Sequence, residues 1–218
     1  MPLALEISDL VFQQGNFRLA LPHLSLPAGG SLFVRGASGS GKTTLLNLLS
    51  GALRQDAGRV LLLGQDFGAW NARRRDAFRA DHLGIIFQQF NLLPWASAFE
   101  NVLLPCRFSR FRAQRAGTVK ATAARLLQAL DLAPAVCQQK AATLSVGQQQ
   151  RVAAARALIG TPEILLADEP TSALDAARQA GFLELLLCEA KRAGSAVIFA
   201  SHDLTLARQF DQVLELAA

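Results

Sequence analysis

Tyrosine is absent from this chain of 218 residues, methionine occurs once and tryptophan twice, so ring-stacking contacts fall almost entirely to its 13 phenylalanines. Cysteine is sparse as well: Cys106, Cys137 and Cys188 are scattered without metal-ligand spacing, which excludes a disulfide framework or a zinc module and fits reduced thiols. No apolar run approaches the length of a bilayer-spanning helix, and the N-terminus lacks the charged start and apolar core of a secretory signal, so the protein is expected to be soluble on its own. Acidic residues are outnumbered, 17 against 22 Lys and Arg, giving a net charge of +5 and a pI near 9.7. That balance fits nucleic acid, an anionic membrane surface, or a nucleotide site among solvated arginines, and charge alone does not choose. Against these shortages stands 51% hydrophobic content, enough for one well-buried core with a small inserted subdomain and too much for a disordered chain.

The organising stretch is Gly36 to Thr44, GASGSGKTT, which fits the phosphate-binding pattern GxxxxGK[ST]. Leu32-Phe33-Val34 leads in as a buried strand, and Thr44 to Leu49 leads out at helical spacing. Gly36, Gly39 and Gly41 let the backbone close around phosphate oxygens, with Ala37, Ser38, Ser40 and Thr44 completing the loop at a positive helix end. Lys42 is placed to reach the β- and γ-phosphates, and the Thr43 hydroxyl to ligate Mg²⁺, a hard cation held jointly by protein and phosphates.

Upstream, the alternation of Leu3 to Val11 and of Phe17 to Leu21, with Gly15-Asn16 between, predicts an antiparallel hairpin. Phe12, expected to be exposed near the end of the first strand, is the candidate flat partner for adenine, and an ordinary core phenylalanine is the other reading. Downstream, Gly58 to Gly64 reads as a strand and Asn71 to Asp81 as a helix. Leu83 to Phe87 is a short buried strand ending at Gln88, whose amide oxygen there can ligate Mg²⁺ or a water. From Phe90 to about Thr143 the pattern is mostly helical, with a break at Pro94-Trp95 and one helix predicted from Arg112 to Leu130. Its basic cluster, Arg107, Arg110, Arg112, Arg115, Lys120 and Arg125, reads as a solvated face, with lipid headgroup contact as the sharper alternative.

Leu144-Ser145-Val146-Gly147-Gln148 then opens an alanine-rich helix with Ser145 as its N-cap, a second ready anion site. Glu163 to Ala167 is an apolar strand ending in Asp168-Glu169, and Ala196 to Ala200 another ending in Ser201-His202-Asp203. A carboxylate at the first strand end, Asp168, suits Mg²⁺ held through water.

In their order and content these motifs resemble the ABC ATPases over essentially the whole chain: LSVGQ resembles the LSGGQ signature and continues into a QQRVAxARAL-type helix. The sequence departs from the pattern at Val146, where the family has glycine, and keeps Gly147. The resemblance implies an α/β fold, a P-loop NTPase core with a mainly parallel sheet, an N-terminal antiparallel β subdomain and an inserted α-helical subdomain. It divides a single ABC ATPase domain into residues 1–88 and 161–218 for the core with its antiparallel subdomain, and about 89–160 for the helical subdomain with the signature. It also implies ATP and Mg²⁺ as cofactors, Glu169 as general base, Gln88 and His202 as γ-phosphate sensors, and Thr171 to Asp175 as a D-loop at a dimer interface. Ser145, Gly147 and Gln148 are implied to contact ATP held by another copy.

Within the family, Phe87 to Pro94 and Glu100-Asn101-Val102 look most like the lipoprotein-release and macrolide-export branch. One phosphate loop and one signature per chain, with no internal repeat, imply a head-to-tail homodimer or a heterodimer with a similar ATPase. The expected partner is a membrane permease carrying a large extracytoplasmic domain, with the ATPase peripheral on the cytoplasmic face. Nucleic acid is not an expected partner. Asn91 to Leu104, with Leu92, Leu93, Trp95 and Phe99, is the expected docking surface, a subdomain core being the other reading. The alternative function is a non-transport ABC ATPase, of the cell-division type or, with less support, the DNA-repair type.

Overall fold

A computed structural model describes residues 2–172 and 175–216. Its first layer is antiparallel: β1 (Leu3–Gln14) and β2 (Phe17–Pro27) form the predicted hairpin, longer than its alternating stretches, and β4 (Ala57–Leu62) and β5 (Gln65–Asp66) extend it in the order β2-β1-β4-β5. The second layer is a five-stranded parallel sheet. Its strands are β3 (Ser31–Arg35), β6 (Leu83–Ile86), β7 (Ile164–Asp168), β8 (Ala196–Ala200) and β9 (Gln212–Glu215), in the order β6-β7-β8-β3-β9. Helices α1 (Lys42–Leu49) and α2 (Ala72–His82) lie between β3 and β6 in the chain. A helical run follows: α3 (Ala98–Phe108), α4 (Arg110–Ala116), α5 (Val119–Ala129), α6 (Pro134–Cys137) and α7 (Val146–Leu158). The long helix α8 (Ala176–Ala193) links β7 to β8.

The central strands are apolar throughout because both of their faces are covered, as parallel strands require. Their two-residue period sorts the side chains into two cores. Phe33, Leu165, Ala167, Val197 and Phe199 join the core that includes Val102, Leu126, Val152 and Leu183 of the helices. Leu32, Val34, Ile164, Leu166, Ile198 and Ala200 join Leu45 and Leu49 of α1 and the antiparallel layer's Leu5, Ile7, Leu26 and Val60. The sheet is thus gripped on one side by the helical run and on the other by the β layer.

Two expectations need correction. The single helix predicted from Arg112 to Leu130 is broken into α4 and α5 at Gly117, whose φ of 63° no α-helix accommodates. The basic cluster also fails to be a uniform solvated face. Arg107 and Arg110 are exposed, but Arg112 is buried and donates to the carbonyls of Leu83, Ala157 and Ile159, capping the end of α7. Arg115 and Arg125 pair with Glu163 and Glu189. Cluster charge reads identically in all of these, and only packing separates them.

Candidate functional site

The carboxyl ends of four parallel strands, β3, β6, β7 and β8, deliver the predicted phosphate-loop, Gln88, Asp168-Glu169 and His202 residues to one edge of the sheet, the location where open α/β sheets take their ligands. After β3 the chain turns through Gly36 to Gly41. A Cβ on Gly36 would lie 2.2 Å from Ser40 Oγ, and Gly41 at φ 98° would bring one to 2.7 Å from the Phe17 ring, so both positions need glycine. No side chain caps α1 at Gly41, which leaves the first-turn N–H groups directed at the loop. Lys42 is buried, and its Nζ donates to Gly36 O (2.8 Å) and Ala37 O (3.1 Å) while standing 3.3 Å from Glu169 Oε1. Ser40 is buried beneath the loop with its hydroxyl unpartnered.

Asp168 ends β7 and accepts a hydrogen bond from the Thr43 hydroxyl. Burial pushes its carboxyl above the ordinary value; the Thr43 bond opposes this, the neighbouring Glu169 charge adds to it, and Lys42 offsets part. Its Oδ1 is buried without a hydrogen-bond partner. A desolvated carboxylate oxygen beside a threonine hydroxyl is a hard-oxygen donor pair, the kind Mg²⁺ completes with phosphates and water, so these residues fit that ion. Glu169 follows at φ 42°, unusual for a side chain of its size, and its N–H donates to Ala200 O. The turn swings its carboxylate toward both Lys42 and His202, whose Nδ1 lies 2.8 Å from Glu169 Oε2.

Ser38, Gly39, Gly41, Lys42, Thr43, Thr44, Gln88, Glu169 and His202 therefore line a single cleft of about 570 Å³. Phe17 lines it too, and Phe12 does not. The expectation of an exposed Phe12 is overturned: it is 7% exposed and packed in the core with Leu10 and Leu19. A β-bulge is the cause. Pairing between β1 and β4 shifts register between Ser8 and Val11, where Asp9 takes φ 50°, so the inward face changes from Leu5 and Ile7 to Leu10 and Phe12. Phe17, just past the Gly15-Asn16 turn, is the aromatic beside the loop. Only the odd-to-even switch of apolar residues after Asp9 could have signalled this.

Ser145, Gly147 and Gln148 stand apart from that cleft, in a second one shared with Val146, Arg151, Arg178 and Phe182. Here α7 caps itself: Gln148 N–H donates to Ser145 Oγ (3.3 Å) and Ser145 N–H donates to Gln148 Oε1 (2.9 Å). The Ser145 hydroxyl proton stays free to donate outward, and Val146 is 47% exposed. Of the expected D-loop, Ala173 and Leu174 lie outside the described residues, while Thr171 is buried and Asp175 caps α8 through Arg178 N–H. Of the expected docking residues, Leu92 and Phe99 pack against the helical core, and Trp95 is 70% exposed. Buried Asn101 shapes that loop, accepting from Leu93 N–H and donating to the carbonyls of Leu93 and Ser97.

Fold and cleft together define a P-loop protein that binds a nucleoside triphosphate. A family model described as ABC transporter matches residues 20–172. The lipoprotein-releasing system ATP-binding protein LolD of Zymomonas mobilis is 37% identical over 217 residues, 97% of this chain and 92% of that one. The macrolide export ATP-binding/permease protein MacB of Chromobacterium violaceum is 39% identical over 193 residues, 88% of this chain but 29% of that one. Among solved structures, the ATP-binding cassette MJ0796, in a dimeric post-hydrolysis state bound to ADP and Pi, is 31% identical with a TM-score of 0.82, over 97% of this chain and 94% of that one. The chain belongs to the ABC transporter family, as one of its ATP-binding proteins. These relatives match the lipoprotein-release and macrolide-export branch read from the sequence.

Proposed function

We propose that the chain hydrolyses ATP as the energy-converting subunit of a transporter, two copies closing head to tail over ATP while bound to a membrane permease at its cytoplasmic face. One observation carries the reading: Lys42, Thr43, Glu169 and His202 line one cleft, while the signature residues face a different one. A nucleotide in the first cleft then needs a second copy to bring it a signature.

In this reading the loop N–H groups and Lys42 bind the phosphates, and Phe17 stacks on the base. Thr43, Asp168 and Gln88 would hold Mg²⁺, which supplies charge neutralisation at the β- and γ-oxygens. Glu169 orients the attacking water and accepts its proton, and His202, hydrogen-bonded to Glu169, fixes that carboxylate and senses the γ-phosphate. Arrival of the triphosphate draws Lys42 off its loop carbonyls and off Glu169, releasing the base for water.

The permease docks at the exposed Trp95 and at the apolar cleft of Phe87, Leu104, Pro105 and Phe108. Leu92 and Phe99 belong to the subdomain core instead. Trp95→Glu is expected to abolish co-purification with the permease at an unchanged melting temperature; normal co-purification would remove this surface from the proposal. The relatives are transport proteins, which favours transport over the cell-division and DNA-repair readings.

The catalytic assignment is tested by phosphate release from ATP. Glu169→Gln should bind ATP and lose turnover by about a hundredfold or more. A variant turning over like the parent would overturn the role of Glu169.

A further inference from the structure

Arg156 lies in the last turn of α7; it is not part of the nucleotide cleft, and it borders the apolar cleft of Phe87, Leu104 and Phe108. Its guanidinium donates through Nη1 to Asn91 O (2.6 Å) and through Nη2 to Phe90 O. Among the described residues, no carboxylate stands within ion-pair distance of it. Two carbonyls are thus the partners of a half-buried cation. Burial lowers its pKa to about 10, which leaves it charged at neutral pH.

The segment it holds is unusual. Phe90 and Asn91 are consecutive non-glycine residues in the left-handed region, at φ 59° and 49°. Two local bonds, Phe90 N–H to Phe87 O and Asn91 N–H to Gln89 O, tighten the turn around Gln88. Adjacent left-handed residues persist only where surroundings over-determine them. Here the surroundings are the buried Phe90 ring on one side and the Arg156 fork on the other. A planar guanidinium suits that task, since it engages two neighbouring carbonyls with one rigid group.

We propose that Arg156 is a positioning residue that locks the Gln88 turn to the end of α7, so that this turn and the signature helix move as one body. α7 has 13 residues and is closed at its start by the Ser145–Gln148 capping box. It acts as a rod of about 20 Å with the signature at one end and the clamp at the other. A displacement of Gln88 is passed to Arg156 through the two carbonyls, and by the helix to Ser145 and Gly147. This inference rests on the nucleotide reading above, and its structural half can be judged without it.

The test uses the full chain and Arg156→Gln, with Arg156→Lys as the conservative variant. In hydrogen exchange without nucleotide, amides of Gln88 to Asn91 in Arg156→Gln should exchange about tenfold faster or more than in the parent, while β7 and β8 keep their protection. In ATP turnover, kcat should fall about tenfold with KM for ATP within about twofold, because phosphate binding is untouched while closure is uncoupled. Arg156→Lys, with one point charge for a fork, should recover part of both. If Arg156→Gln does not fold, Arg156→Lys reads the same two quantities, intermediate values supporting the clamp and parental values overturning it. Unchanged exchange in a folded Arg156→Gln overturns the clamp, and faster exchange with unchanged kcat overturns the coupling. A parent chain that turns over no ATP sinks the ATPase reading, and exchange alone then decides the clamp.

Discussion

The chain contains two helix starts that its sequence offers as anion sites, and the structure finishes them in opposite ways. At α1 the N-cap is a left-handed glycine with no capping side chain, Ser40 Oγ and Asp168 Oδ1 are buried without partners, and Lys42 is parked on loop carbonyls. At α7 serine and glutamine satisfy each other's backbone in a complete capping box. The first is unfinished without a ligand; the second is a stable helix start that can offer one hydroxyl proton and a few outward N–H groups. A helix N-terminus is therefore a site only as far as its donors are left unpaired. In the proposed reading that condition separates the end that binds nucleotide by itself from the end that serves a nucleotide bound elsewhere.

The comparison is broken most severely at Lys42. Lys42→Ala should weaken ATP binding by about a hundredfold, because the triphosphate loses its buried counter-charge. A fluorescent-nucleotide titration measures this, and parental affinity would mean that the open helix start binds without its lysine. The two aromatics of the hairpin sharpen the same contrast. Phe17→Ala should weaken ATP binding about tenfold and leave the thermal melt nearly unchanged, whereas Phe12→Ala should keep the affinity and cost about 3 kcal/mol of stability. The reverse outcome would return the base-stacking role to Phe12. The smallest effect is expected at the self-capped end. Val146→Gly should raise steady-state ATP turnover about twofold, by removing an exposed branched side chain from the signature surface without touching the Ser145–Gln148 box. An unchanged rate would mean that valine fits there without hindrance.

Motifs whose chemistry sits at strand ends were legible because their spacing and their structure are the same fact. An apolar run followed by Gly36 to Thr44, by Gln88, by Asp168-Glu169 or by Ser201-His202 places each group at the same sheet edge once the strands are parallel. What was not legible depended on a single residue changing a phase. The bulge at Asp9 reverses which face of β1 is buried, so an even alternation assigns Phe12 to the surface and misses Phe17. Gly117 interrupts an amphipathic run that has no other sign of a break. Arg112 and Arg156 illustrate a different limit. Arginines with backbone carbonyls as partners leave no acidic residue at a recognisable spacing, and both look like surface charge until the carbonyls of Ala157, Ile159, Phe90 and Asn91 are seen around them.

The central claim is that ATP bound at one copy's open helix start is completed by the other copy's capped one. Glu169→Gln tests it most directly, since the amide preserves shape but cannot accept the water's proton, so a closed pair bound to ATP should accumulate. Size-exclusion chromatography with light scattering should show this variant as a dimer in ATP and a monomer in ADP. A variant that binds ATP yet remains monomeric would contradict the account.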